Sequence, residues 1–249
     1  LVQLKSKADI EQMRKSGAIV AQVLCEIGEM VKPGVTTADL DTYAQVRTKE
    51  LGAKPAFKGY HGFPATLCVS VNEEVVHGIP TKKRILKEGD IVGVDFGVVL
   101  NGWFGDSAKT FCVGKVSEEI EKLVKITEKS LYLGIEQVKP GNHLFDIGHA
   151  IQNFVESNGF TVVREFVGHG IGRNLHEDPQ VPNYGSKGKG MILKPGMVLA
   201  IEPMINAGRP EVKVLNDGWT AVTADRKWSA HFEHTIAITE QGYDILTLV

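Results

Sequence analysis

The chain is poor in the features that mark whole classes of protein. It has three cysteines, Cys25, Cys68 and Cys112, far apart and with no C-x-x-C pair. That excludes a disulfide framework and a thiolate metal site, and fits a reducing compartment. There is no basic excess: 28 Lys and Arg stand against 30 Asp and Glu, a formal charge of -2. Nucleic acid and anionic membrane are therefore not expected as main ligands. No apolar run reaches the ~20 residues that a membrane span needs. The best candidate, Ile91–Leu100, is broken by Asp95. Residues 1–16 mix charge with aliphatic side chains and contain no signal-peptide apolar region. What remains is an ordinary globular composition over 249 residues, 43% hydrophobic and 23% charged, ample for a buried core. The expectation is a soluble protein of the cytoplasm.

The chain contains an internal repeat. Val31-Lys32-Pro33-Gly34 recurs as Val138-Lys139-Pro140-Gly141, a shift of 107 positions. In the same register Asp39-Leu40 meets Asp146-Ile147, Gly52 meets Gly159, Gly89 meets Gly196, and Asp95 meets Glu202. Hydrophobic spacing agrees. Ser6 to Asp9 reads as a capping box, followed by a stripe from Ile10 to Val31 that predicts an amphipathic helix stopped by Lys32-Pro33-Gly34. Thr36 to Asp39 opens a second helix that ends at Gly52. Residues 118–138 and 145–158 repeat the long-then-short pair. Strand-like sequence follows each pair, over 67–76, 91–100 and 103–113, then 161–167, 197–205 and 233–239. The prediction is an α+β fold with pseudo-twofold symmetry: strands central, helices outside, one domain over 1–249 with halves at about 5–114 and 115–249.

Acids interrupt the strands. Asn101-Gly102 signals a tight hairpin. A two-residue type I′ turn places Leu100 opposite Trp103 and Asp95 opposite Ala108, so Asp106 shares the face of Asp95, one diagonal step away. The second half supplies Glu202, the repeat mate of Asp95, and Glu233. A single strand acid can partner a buried Lys or Arg or sit at an exposed edge. Four in repeat-related strands, with no cluster of Lys or Arg beside them, would repel one another unless cations are present, and two divalent cations cancel the charge.

Gly168-His169-Gly170-Ile171-Gly172 adds a histidine in a glycine-rich run that is not a dinucleotide loop. Two Asp, two Glu and one His suit Mn, Fe(II) or Co(II) and tolerate Zn. Shared carboxylates imply two ions ~3.5–4 Å apart, as in hydrolytic aminopeptidases. His77 and His176 are candidate donors to a substrate carbonyl or developing oxyanion. His61, His143, His149, His231 and His234 carry no such context and are read as background. The zincin helix motif is absent at His176-Glu177, and residues 185–190 lack the P-loop ending.

As a set, these residues resemble the type I methionine aminopeptidases of the pita-bread fold, along essentially the whole chain. The resemblance rests on Asn72-Glu73-Glu74-Val75-Val76-His77-Gly78-Ile79-Pro80, Val94-Asp95 with Gly105-Asp106-Ser107-Ala108, and Gly168 to Gly172 followed by Leu175-His176-Glu177-Asp178-Pro179. Ile201-Glu202-Pro203-Met204 and His231-Phe232-Glu233-His234-Thr235 complete it. It implies a central curved antiparallel sheet and metal ligation by Asp95, Asp106, His169, Glu202 and Glu233, with Asp95 and Glu233 bridging two Co, Mn, Fe(II) or Zn ions. His77 and His176 would contact substrate, His176 steadying the tetrahedral intermediate, and Glu202 would also orient or deprotonate the attacking water. Tyr60, Phe63, Cys68 and Trp219 would line the methionine pocket.

The implied reaction is removal of N-terminal Met from nascent chains with a small second residue, at the ribosome or after it, by a monomer. Position 175 is Leu where relatives often carry an aromatic, and position 57 is Phe where some carry Cys. The chain shows neither a type II insertion nor a zinc-binding N-terminal extension, so the implied enzyme is of the short bacterial kind. Two alternatives are an X-Pro dipeptidase or aminopeptidase P of the same fold, which usually carry a further N-terminal domain, and a non-catalytic binding protein, which typically loses ligands.

Overall fold

The computed structural model describes residues 2–248; the ends of the expected 1–249 domain, Leu1 and Val249, lie outside the described residues. Helix α1 spans Lys7–Met30 and starts where the capping box requires: Ser6 Oγ accepts the Asp9 N–H, and Asp9 accepts the Ser6 N–H. Helix α2, Thr37–Glu50, begins with the same reciprocal pair between Thr36 and Asp39. These contacts satisfy N–H groups that the first helical turn leaves unpaired.

Helices α3, Glu118–Ile135, and α4, Leu144–Ser157, form the second pair. Each end of α2 maps onto the corresponding end of α4 at the shift of 107. The linking contacts map too. Gly34 N–H donates to Leu86 O at 2.9 Å and Gly141 N–H to Leu193 O at 3.0 Å. The bridge Thr36↔Ile85 has its counterpart in His143↔Ile192.

Among the described residues all strand pairings are antiparallel, but they divide among four hydrogen-bonded sheets instead of one. Local chemistry causes the divisions. The expected strand over 67–76 splits into Cys68–Val71 and Glu74–Val76 around Asn72, whose φ of 59° makes a turn. The expected strand over 197–205 splits into Val198–Ile201 and Met204–Asn206, because Pro203 has no N–H to give the ladder. The run expected over 161–167 pairs only as Thr161–Val162 before exposed Arg164 and Glu165 leave the sheet.

Buried apolar residues gather in each half. Val20, Ile27, Leu40, Val92, Val94 and Phe96 lie in one cluster, and Leu123, Ile147, Ile151, Leu199 and Ile236 in another. A further cluster draws on both halves, packing Met13, Phe63 and Trp103 with Ile171, Leu175 and Ala237. Gly17 lets α1 close onto the chain end, since a Cβ there would stand 2.1 Å from Leu246 O. Among the described residues no helix is long and apolar enough to cross a membrane.

Candidate active site and metal centre

The hairpin Ile91–Leu100 with Trp103–Cys112 has the register that its turn demands. Leu100 pairs with Trp103 and Asp95 with Ala108, with no bulge, and Asn101 and Gly102 both have positive φ. Ala108 pairs on its other side with Glu233, whose N–H donates to Ala108 O at 2.9 Å. Cys68 pairs with Asp95. One row therefore crosses the strands as Cys68, Asp95, Ala108 and Glu233.

Glu202 extends that row. Ile201 pairs with His234 and Met204 with His231, so the register continued through the break sets Glu202 opposite Glu233. His169 joins from the next strand, opposite Ala200. The glycines around it permit this closeness: a Cβ on Gly168 would lie 2.2 Å from Ala200 O, and one on Gly170 2.1 Å from Asp178 O.

All eleven expected site residues line a single cavity of about 760 Å³. Its floor holds Asp95, Asp106, His169, Glu202 and Glu233; its walls include His77, His176, Tyr60, Phe63, Cys68 and Trp219. His61, read as background from the sequence, lines it as well. No Lys or Arg does so among the described residues. Asp106 and Glu233 are only 4% and 2% exposed. Burial, together with the neighbouring carboxylates, pushes the carboxyls of Asp106, Glu202 and Glu233 well above their ordinary range. Burial raises Asp95 as well.

Asp95 Oδ1, Asp106 Oδ1 and Glu233 Oε1 are buried without a hydrogen-bond partner. Orphaned carboxylate oxygens cost several kcal/mol each unless something positive meets them. Donor atoms of Asp106, His169 and Glu233 all lie within 4.8 Å of one another, as do those of Glu202, His231 and Glu233. The His169 tautomer suits a cation: Nδ1 lies 2.8 Å from Gly170 O and donates to it, leaving the Nε2 lone pair free. Nε2 faces Glu202 Oε1 at 3.5 Å and Asp106 Oδ2 at 3.9 Å. Oxygen-rich, with imidazole and no competing ammonium, this donor set fits divalent cations.

Around the rim, Tyr60 Oη lies 2.7 Å from His176 Nδ1, and the rings of His169 and His176 are 4.3 Å apart. Phe63 meets Trp219 edge-on at 5.1 Å. His77, with φ of 60°, packs its ring against Phe166 and Trp219, and burial lowers its pKa to about 4.

The sequence reading missed His231. It is 3% exposed, with Nε2 at 3.7 Å from Glu202 Oε2. The signal was present in the strand period, since His231-Phe232-Glu233 sets the two polar side chains on one face and the apolar one on the other.

Comparison with known proteins agrees with this geometry. The chain is 56% identical to methionine aminopeptidase 1 of Bacillus subtilis over 245 residues, covering 98% of each. The solved methionine aminopeptidase of Thermotoga maritima superposes with a TM-score of 0.99 at 51% identity, covering 100% of both chains. The prolidase of Pyrococcus horikoshii, 24% identical with a TM-score of 0.78, shares the fold; the match covers 98% of this chain and 63% of that one. The profile of metallopeptidase family M24 spans residues 11–240, from early in α1 to the last strands of the site. By sequence, fold and donor set alike, the chain belongs to metallopeptidase family M24.

Proposed function

We infer that the protein is a metal-dependent aminopeptidase that removes N-terminal methionine from nascent chains with a small second residue. The observation that carries this reading is the convergence of Asp95, Asp106, His169, Glu202 and Glu233, with buried oxygens left unpartnered, on the floor of a half-apolar cavity. These five would hold two divalent cations, Co, Mn, Fe(II) or Zn. The names and full-length identity of the relatives support the choice of methionine. The halves act as one catalytic unit, because Asp95 and Asp106 come from the first repeat and the other three donors from the second.

When bound, the cations polarise the scissile carbonyl and lower the pKa of water. The protein supplies the rest. Glu202 orients the attacking water and takes its proton; burial and nearby charge raise its carboxyl in the direction a general base near neutrality needs. Tyr60 Oη lies 2.7 Å from His176 Nδ1; with the hydroxyl donating there, the His176 proton would sit on Nε2, ready to donate to the oxyanion. Its pKa is lowered by burial, which keeps the ring neutral at pH 7. His77, neutral for the same reason, positions the substrate amide. Tyr60, Phe63, Cys68 and Trp219 enclose the methionine side chain, and the Phe63–Trp219 edge contact gives that wall its stiffness. The protein acts as a monomer in the cytoplasm, at or near the ribosome.

The test is hydrolysis of Met-Ala-Ser beside Ala-Pro by the Mn-loaded protein, with Glu202→Ala as control. Met release that the variant abolishes is expected. Cleavage of Ala-Pro instead would favour a dipeptidase, and cleavage of neither would refute the peptidase.

A further inference from the structure

The connection from Gly168–Gly170 to Glu177–Val181 carries two histidines of the site, His169 near its start and His176 at its end, with rings 4.3 Å apart. His169 is pinned by strand pairing on both sides, to Gln180 and to Ala200. Among the described residues no strand pairing reaches His176, which ends the loop. Its neighbour Glu177 does the fixing. Glu177 Oε1 accepts the Asn174 N–H at 3.0 Å and closes the turn, and Glu177 Oε2 accepts from Lys5 Nζ at 2.5 Å.

Both side chains of that pair are enclosed, Lys5 being 5% and Glu177 8% exposed. Among the described residues, every other ion pair made by a Lys or Arg has both side chains at least a quarter exposed. Lys5 is held at its own end as well. Its N–H donates to Gly196 O at 2.7 Å, immediately before the Ser6 cap that starts α1. Its stem passes close to Gly172, where a Cβ would stand 2.4 Å from Lys5 Cε and 2.8 Å from Glu177 Oε1. That gives the last glycine of Gly168-His169-Gly170-Ile171-Gly172 a task that the metal centre does not explain.

Stability alone does not account for a buried ion pair, because apolar groups of the same volume often serve as well or better. What the pair supplies is a fixed geometry, one residue away from the group that faces the oxyanion. Glu177 lines the catalytic cavity, and Lys5 meets it from outside that lining.

We propose that Lys5, on the segment ahead of α1, is a positioning residue of the active site: through Glu177 it fixes the loop that aims His176. The proposal rests on the reading of His176 as the oxyanion donor and deepens it.

The test is a double-mutant cycle on the Mn-loaded full chain with Met-Ala-Ser, with kcat expressed per mole of bound Mn so that a change at His169 is not counted. His176→Ala should lower kcat by roughly 10²–10³. Lys5→Met keeps the stem and removes the charge. It should lower kcat by roughly 10–100-fold with KM within about twofold. Added to His176→Ala it should cost less than about twofold more, because a residue that acts through another is not additive with it. Equal losses from Lys5→Met in both backgrounds, or an unchanged kcat with only a lower melting temperature, overturn the positioning role and leave His176 in place. Wild-type kcat in His176→Ala overturns the oxyanion reading and this proposal with it.

Glu177→Gln is the second variant, for the case that Lys5→Met does not fold. It keeps the side-chain volume and an oxygen for the Asn174 N–H, and weakens only the charge pairing. A loss of roughly 3–10-fold in kcat is expected, again absent beside His176→Ala. Full wild-type kcat in Glu177→Gln overturns the role of the pair.

Discussion

Removing the metal should make the stability of the fold fall as pH rises above neutrality. Burial is the largest cause holding Asp95, Asp106, Glu202 and Glu233 above the ordinary carboxylate range, and mutual repulsion adds to it at the last three. A carboxyl whose folded pKa is raised contributes its stability below the unfolded value and loses it as pH climbs through the folded one. The ordinary values are 3.8 for Asp and 4.5 for Glu, and Asp95 is pushed up to about 7. The buried imidazoles work the other way. His77 is lowered to about 4, and His169 and His231 to about 3, from 6.5. They cost stability as pH falls below 6.5 and mask the carboxyls there.

At pH 6.5 half of the unfolded imidazoles are still protonated, so the carboxyls act nearly alone only above about pH 7.5. Each proton kept by the fold and not by the unfolded chain costs about 1.4 kcal/mol per pH unit. There any proton that the fold still holds among Asp106, Glu202 and Glu233 makes stability fall with rising pH, and the end of the Asp95 titration adds to it. For a chain of this length one held proton over one pH unit lowers the melting temperature by about 3–6 °C. Thermal melts followed by circular dichroism, on EDTA-treated and Mn-loaded protein at half-unit pH steps, measure it. The loaded curve should stay nearly flat, because bound cations keep the carboxylates ionised. A metal-free melting temperature that is flat or rising from pH 7.5 to 8.5 would refute the repulsion argument.

Other outcomes follow from the same geometry. Glu202→Gln should lower kcat on Met-Ala-Ser by about 10²–10⁴, and a loss below tenfold would remove it from proton transfer. Tyr60→Phe takes away the 2.7 Å contact to His176 Nδ1, and with it the hydroxyl that would hold the His176 proton on Nε2. It should reduce kcat by about 5–10-fold with KM little changed; an unchanged kcat contradicts the tautomer argument. Gly170→Ala puts a Cβ 2.1 Å from Asp178 O, against backbone that cannot swing away. Urea unfolding should show a loss of about 1–3 kcal/mol, and wild-type stability would mean that the strand has room to move. Iodoacetamide should label exposed Cys25 and spare Cys68, whose thiol burial and then Asp95 push up. Mass spectrometry finding Cys68 modified first would contradict that burial.

Local chemistry made much of this legible in advance. Ser6 with Asp9 and Thr36 with Asp39 marked helix starts because a capping box is a contact across three residues, written out in the chain. Asn101-Gly102 fixed the hairpin register, and the register placed Asp106 on the face of Asp95. Joining these to His169, Glu202 and Glu233 required the repeat and the family resemblance, since no local rule says which strands become neighbours. What escaped was set by tertiary context. The division of the sheet at Pro203 and Asn72 depends on single residues inside runs that otherwise read as continuous strand. His231 passed as background because it lies on the short strand Ser229–His231, ahead of the apolar run that drew attention to Glu233. Only the pairing of Met204 with His231 shows that its ring meets Glu202.

The most direct test of the central claim is Met release from Met-Ala-Ser as Mn, Fe(II), Co(II) or Zn is returned stepwise to metal-stripped protein. Activity should be absent without metal, rise with added ion, and vanish in Asp106→Asn despite an intact fold. Full Met release from the metal-free chain, or from Asp106→Asn, would contradict the account.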